Sequence, residues 1–280
     1  MCIIMNINQI YGGKLMKKIL AIVLALTLIF AFASCANDNT VSNDDTSSVE
    51  TKEKLVMATN ASFPPYEYLD GDEFAGIDIE IAGEIAKKLN MELEIQDVDF
   101  SAILGMVETG RADMGVAGMT VTEDRLKSVN FSNSYAKGVQ VVIVKDGGKV
   151  ASLEDLEKEG IMIGVQQSTT GDIYASAPVE EGGYGADKVT QYNTGNDAVA
   201  ALVAGKVDAV IIDNEPAKSY VKVNEGLSIL DTEYANEDYA ICVSKENTEL
   251  LNKINTALDE LTKDGTIANI VNKYIPADAE

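Results

Sequence analysis

The chain has 280 residues, 46% of them hydrophobic, and a net charge of −23 from 22 basic and 45 acidic side chains. That acid excess excludes a nucleic-acid partner, since phosphate binding needs clustered Lys and Arg. No histidine and three cysteines (Cys2, Cys35, Cys242) exclude His-based triads, His or Cys metal sites and a disulfide framework, so neither metal nor cofactor is expected.

Lys17-Lys18 precede an apolar run from Ile19 to Ala33 that ends at Ala33-Ser34-Cys35. A basic start, a short apolar stretch and small residues mark a secretory signal over residues 1–35, with Met16 as its start. The run is shorter than the ~20 apolar residues of a membrane-spanning helix. Cys35 stands where bacterial lipoprotein signals carry the acylated cysteine, although Phe32 replaces their usual Leu. Lipid attachment at Cys35 is expected, with plain secretion and a free thiol as the alternative. Residues 36–52, rich in Asn, Asp, Ser and Thr, read as a flexible tether.

The folded part opens with a strand over 54–59 and a Pro-containing loop over 60–68. Ile77, Ile81, Ile85 and Leu89 then recur at helical spacing, with Lys87 and Lys88 near the end. A strand around 93–95, a helix over 101–108 stopped by Gly110 and a buried strand over 112–116 follow. A turn through Thr120 leads into a short helix starting near Thr122. Residues 135–144 form a long strand. The pattern then restarts with a short helix over 153–159 capped by Ser152, a strand over 161–165 and a turn at 168–171 into a helix. A strand over 189–192, a helix over 196–204, a strand ending at Asp213, a strand over 239–243 and helices over 250–261 and 267–274 complete it. Strands alternating with helices of this length indicate βαβ units on parallel sheets.

The stretch from Ala117 to Arg125 offers outward backbone N–H groups, the Thr120 hydroxyl and the Arg125 guanidinium near one point. That set suits a carboxylate; an ordinary turn with a surface arginine is the alternative. The run Gly110-Arg111-Ala112-Asp113 through Gly118 is echoed by Gly205-Lys206-Val207-Asp208 through Asp213, at a constant offset of 95 residues. Gly118 and Asp213 thus fall together just past a strand's carboxyl end, where open α/β sheets bind ligands. Facing each other, a cationic and an anionic strand end complement the two ends of a zwitterion. Asp213 as a plain helix N-cap is the competing reading.

From about Val56 to Tyr274 the chain resembles the family 3 extracellular solute-binding proteins. The resemblance is carried by Phe63-Pro64-Pro65-Tyr66-Glu67, Gly76-Ile77-Asp78-Ile79-Glu80, Asp99-Phe100, Ala117-Gly118-Met119-Thr120 with Arg125, and Asn130-Phe131-Ser132. Gly164-Val165-Gln166, Thr169-Thr170-Gly171 and Val207-Asp208-Ala209 with Asp213 extend it. It implies an α/β fold of two similar lobes joined by a two-strand hinge, the type II periplasmic-binding-protein fold. The implied lobes are residues 53–138 plus 239–280, and 139–238, with the hinge near 135–139 and 235–239.

The resemblance further implies that Arg125 holds a ligand α-carboxylate, helped by Thr120, the Gly118 N–H, Ala117 and the Thr169-Thr170 region. Asp213 takes the α-ammonium. Phe63 and Phe100 flank the ligand side chain (core packing being the commoner fate of Phe), and Asn60 and Gln166 read its tip. Two positions depart from the family pattern. Asn60 stands where many relatives with basic ligands have Asp, and Ser168 where Gly usually precedes the paired threonines.

The implied function is an extracytoplasmic, lipid-anchored receptor, monomeric and not an enzyme. It would pass a polar neutral or basic amino acid to an ABC permease. The alternatives are an enzyme on the same scaffold, a lyase or dehydratase acting on a small carboxylic acid, and a sensory ectodomain. A signalling segment after Tyr274 is not expected.

Overall fold

The computed structural model describes residues 53–231 and 234–276. The signal, the tether and Cys35 lie outside the described residues. Among the described residues, no helix is long and apolar enough to cross a membrane.

The chain begins with β1 (Lys54–Thr59), β2 (Ser62–Phe63), β3 (Glu67–Asp70) and β4 (Glu73–Ala75). The segment expected as loop therefore holds a small three-stranded antiparallel sheet, β2-β3-β4. Its hairpin turns through the two-residue loop Gly71-Asp72, with Gly71 at φ 66, and a glycine opening such a loop is a hairpin-turn signal. Helix α1 (Ile77–Lys88) follows, burying Ile77, Ile81 and Ile85 on one stripe, with Asp78 and Glu80 in its first turn and Lys87 and Lys88 in its last. Those charges complement the helix dipole. Each fully buried Ile contributes about 1.5–3 kcal/mol of apolar transfer.

Next come β5 (Glu92–Asp97), α2 (Phe100–Glu108), β6 (Met114–Gly115), the short α3 (Arg125–Ser128) and β7 (Val129–Phe131). The first large sheet has the order β5-β1-β6-β14-β7, in which β14 is Cys242–Ser244. Strands β5, β1 and β6 run parallel.

The second sheet has the order β10-β9-β11-β8-β12: β8 (Ala136–Lys145), β9 (Ile163–Gln166), β10 (Val189–Tyr192), β11 (Ala209–Asp213) and β12 (Leu227–Ile229). Its helices are α4 (Thr170–Ser176), α5 (Gly195–Val203) and α6 (Asn214–Val223). The segment expected as a helix over 153–159 is a 3-10 turn, Leu153–Glu157, held by a reciprocal Ser152–Asp155 capping box. Helix α6 had no counterpart in the sequence reading, although Pro216 in its first turn fits a helix start.

The two sheets are bridged by β8 and β13 (Ala235–Tyr239), which pair antiparallel over 136–140 and 235–239. Gln140 is the pivot of this ladder, opposite Ala235 on one side and Asp213 on the other. Gly138 is required there, because a Cβ would lie 2.5 Å from the Tyr239 ring. The chain ends with α7 (Thr248–Lys263) and α8 (Thr266–Tyr274), the first capped by Asn247 accepting the Leu250 amide. The largest core cluster runs from Leu55 and Ile81 through Tyr66, Tyr135 and Tyr239 to Val210 and Ile212.

Candidate functional site

Between the two sheets lies a cavity of about 310 Å³, part of it open to solvent. The eleven residues singled out from the sequence all line it, joined by Glu67.

Arg125 supplies the cationic end. It is only 5% exposed, its Nη1 donates to the Thr120 carbonyl at 2.7 Å and its Nη2 to the Ser168 carbonyl at 2.9 Å. The guanidinium also lies 5.4 Å from the Phe100 ring centroid, a cation–π contact. Two of its five N–H donors are engaged by these carbonyls. Burial lowers its pKa and Glu237 opposes that shift; guanidinium stays charged regardless. Local turn chemistry sets its place: the Thr122 hydroxyl accepts the Arg125 amide at 3.2 Å, and Leu126 N–H reaches back to the Thr122 carbonyl.

The departure at Ser168 has a geometric reading. Ser168 sits at φ 65, a left-handed conformation costing a non-glycine residue about 1–2 kcal/mol. The conformation is held because its N–H donates to Asp172 at 2.8 Å while its carbonyl takes the Arg125 guanidinium.

Asp213 supplies the anionic end. It occupies the N-cap position of α6, but its side chain makes no capping bond there. The Tyr239 hydroxyl donates to its Oδ1 instead. Burial first, and the nearby Glu237 second, push its carboxyl up to about 7. Near neutral pH it is therefore poised between its two protonation states.

The walls differ in detail from the sequence expectation. Gly118 turns at φ 51 against Phe63, but its N–H donates to Asp78 at 2.7 Å. That amide is occupied and is not a donor for a ligand carboxylate; the carbonyl is what Gly118 has left. Asn60 and Gln166 satisfy each other, Gln166 Nε2 donating to Asn60 Oδ1 at 2.9 Å and to the Asn193 carbonyl at 3.0 Å. Asn60 Nδ2 donates to the Val98 carbonyl at 2.8 Å. Two buried amides within reach pair because an unmade hydrogen bond costs about 1–3 kcal/mol. Asn60 Oδ1 also accepts the Ser62 hydroxyl at 2.9 Å, so its two lone pairs and both Gln166 amide donors are engaged. The Thr169 hydroxyl caps α4, accepting from Asp172 N and donating to the Gln166 carbonyl. Thr170 receives the Gln140 amide at 3.3 Å. Phe63 and Phe100 are 8% and 9% exposed and each joins a core cluster while lining the cavity, so both roles hold at once.

Behind the cavity stand residues the sequence reading passed over. Glu237, 6% exposed on β13, accepts the Thr120 hydroxyl at 2.9 Å and the Gln140 amide at 3.2 Å. Gln140 is fully buried. Neither carried a signal, because a polar residue on a strand reads as solvent-facing. Glu67 stood in the sequence only as the last residue of the Phe63-Pro64-Pro65-Tyr66-Glu67 motif.

The sequence profile of the bacterial extracellular solute-binding proteins, family 3, matches residues 55–277. The arginine-binding extracellular protein ArtP of Bacillus subtilis is 31% identical over 261 residues, 92% of this chain and 98% of that protein. An ancestral arginine-binding protein is 39% identical in two structures. The arginine-bound one has a TM-score of 0.74 and covers 80% of this chain and 99% of that one. The glutamine-bound one has a TM-score of 0.73, with 80% and 98% covered. The ancestral amino acid-binding protein AncCDT-1, a precursor of cyclohexadienyl dehydratase, is 29% identical with a TM-score of 0.71, covering 79% of this chain and 95% of that one. The chain belongs to the family 3 solute-binding proteins and has their two-lobe type II fold.

Proposed function

We propose that this family 3 solute-binding protein captures a polar neutral or basic amino acid between its lobes and delivers it to an ABC-type permease. One observation carries the reading: the buried Arg125 guanidinium and the buried Asp213 carboxylate line the same cavity. A carboxylate or ammonium is costly to bury unless paired, so a cavity that pairs both ends selects the zwitterion. Arg125, with Thr120 and the Thr169-Thr170 turn, takes the α-carboxylate. Asp213, with the Gly118 carbonyl, takes the α-ammonium.

The flat faces of Phe63 and Phe100 and the neutral amides of Asn60 and Gln166 suit a flat polar tip such as an amide or guanidinium. Relatives described as binding arginine and glutamine agree with that class. The lobes are residues 53–138 with 239–280, and 139–238, closing about the β8–β13 crossover. The receptor is monomeric and extracytoplasmic, held to the membrane by a lipid on Cys35, as residues 17–35 support. It is not an enzyme, Asp213 being committed to the ammonium.

A thermal-shift screen of the amino acids tests this. Ligand at about 100 times its dissociation constant stabilises the fold by ~2.7 kcal/mol. Arginine and glutamine are expected to raise the melting temperature, with cystine the next to try, and glutamate to leave it unchanged. A screen in which only glutamate raises it would overturn the assignment.

A further inference from the structure

Beside the cavity two carboxyl groups meet with no cation between them. Glu67, on β3, is 1% exposed and Asp78, in the first turn of α1, is fully buried. Asp78 Oδ2 accepts the Gly118 amide at 2.7 Å and the Tyr135 hydroxyl at 2.8 Å. Glu67 Oε2 and Asp78 Oδ1 are buried and meet no N–H or O–H donor of their own. The two carboxyl groups lie close enough for each to act on the other's charge. Two ionised carboxylates so placed repel strongly away from water, and one proton held by the pair removes that repulsion.

The backbone builds this meeting. The Ile77 and Asp78 amides donate to the Pro65 and Tyr66 carbonyls at 3.1 and 2.9 Å. Gly76 permits the approach, since a Cβ there would lie 2.1 Å from the Tyr66 carbonyl oxygen.

We propose that Glu67 and Asp78 act as one positioning unit for the receptor site proposed above: a single shared proton fixes the Gly118 turn and Tyr135 at the start of the crossover strand. The proposal concerns the protein's own geometry and rests on the receptor reading only where it predicts affinity.

The proton belongs to Glu67. Burial first, then the charges of Asp78, Asp213 and Asp97, raise the Glu67 carboxyl well above the ordinary range. Burial raises Asp78 to about 6, opposed by the Gly118 amide, the Tyr135 hydroxyl and Glu67, which favour its ionised form. The other titratable groups facing the pair are Tyr66, Tyr135 and Tyr220, all raised by burial and so neutral; Glu215 acts on Tyr66. Both carboxyls have folded-state values above their unfolded ones. Their stabilising contribution is therefore present at low pH and lost as pH rises, through about 6 for Asp78 and higher still for Glu67.

The test uses the full chain and the variants Glu67→Gln and Asp78→Asn. Melting temperature is followed without ligand from about pH 6 to pH 10, and affinity for L-arginine and L-glutamine by calorimetry. Glu67→Gln keeps a donor for Asp78, so its melting temperature is expected to fall less with rising pH than that of wild type, the remaining fall belonging to Asp213 and Asp78. The ligand's own ammonium titrates alike for both proteins, so the difference between them isolates the protein's proton. Asp78→Asn is expected to weaken both amino acids about tenfold or more, the Gly118 amide having lost its charged acceptor.

A Glu67→Gln melting profile parallel to wild type, or Asp78→Asn with wild-type affinity, overturns the proposal. Infrared spectroscopy gives an arm that leaves the pair itself intact. In an Asp213→Asn background near pH 8 a protonated-carboxyl carbonyl band is expected, and its absence overturns the proposal equally. Failure of both amino acids to bind wild type would count against the receptor reading alone, since the melting and infrared arms need no ligand.

Discussion

The strands that run into the site from residues 110 and 205 begin alike and end differently. Each follows a helix whose closing glycine, Gly110 or Gly205, sits at φ 70. Each then carries an aspartate that grips the neighbouring parallel strand: Asp113 accepts the Val56 amide at 2.7 Å, and Asp208 the Met162 amide at 3.0 Å. Their own amides return the bond to the Val56 and Met162 carbonyls. Past the strand the two diverge. The first leaves through the Gly118 turn and reaches Arg125 after a further loop. The second ends on Asp213 and passes straight into α6. The shared entry is scaffolding, and the two exits present opposite charges to the same cavity.

The comparison breaks hardest at its charged exits. Arg125→Met leaves a ligand carboxylate buried without a partner, and losing one member of such a pair costs about 2–5 kcal/mol of affinity. Calorimetry with L-arginine or L-glutamine is expected to show that loss with the melting temperature of the ligand-free protein little changed. Near-native affinity would place the carboxylate elsewhere.

The Asp213 exit adds a pH signature. Asp213→Asn keeps the shape and one acceptor for the Tyr239 hydroxyl, so a smaller loss of about 1.5–3 kcal/mol is expected. In wild type, only the ionised carboxylate pairs with the ligand ammonium, and its value lies at about 7. Affinity is therefore expected to be full above that value and to fall as pH drops through it, by up to about tenfold per pH unit. The stability contribution of the same group has the opposite sign. Its folded value is raised, so that contribution is present at low pH and lost as pH rises through about 7. Titration of affinity in the Asp213→Asn variant should lack the acid limb; if the limb persists, another group is responsible.

The smallest effects belong to the shared entries. Asp113→Ala and Asp208→Ala each leave a strand amide without its acceptor, expected to cost about 1–2 kcal/mol of stability. Asp208 also meets Lys149 at 2.9 Å, so its loss is expected to be slightly the larger. Affinity should stay at the wild-type value in both. Chemical denaturation with parallel calorimetry checks the point, and a drop in affinity from either change would mean that entry and exit are not separable.

Local pattern in the chain was enough for the helix over Ile77, Ile81 and Ile85, the two sheets of strands, the echoed strand ends and the charges at Arg125 and Asp213. Each of these is written within one element: a repeat of apolar residues, a glycine stop, a charge just past a strand. The short hairpin over Ser62–Ala75 escaped because its strands are brief, and helix α6 because its buried face is only Pro216, Ala217 and Tyr220. The larger gap concerns hydrogen-bond partners. Gln166 and Asn60 are 106 residues apart, and either amide alone reads as a free reader of ligand. Gly118 looks like a free donor until helix α1 brings Asp78 to it. Glu67, Gln140 and Glu237 are polar residues buried at the junction, and alternation along a strand assigns such residues to solvent. Burial of an apolar face follows from the order of residues along one element, whereas which buried polar group satisfies which depends on how the two sheets come together, through contacts that no local stretch of chain contains.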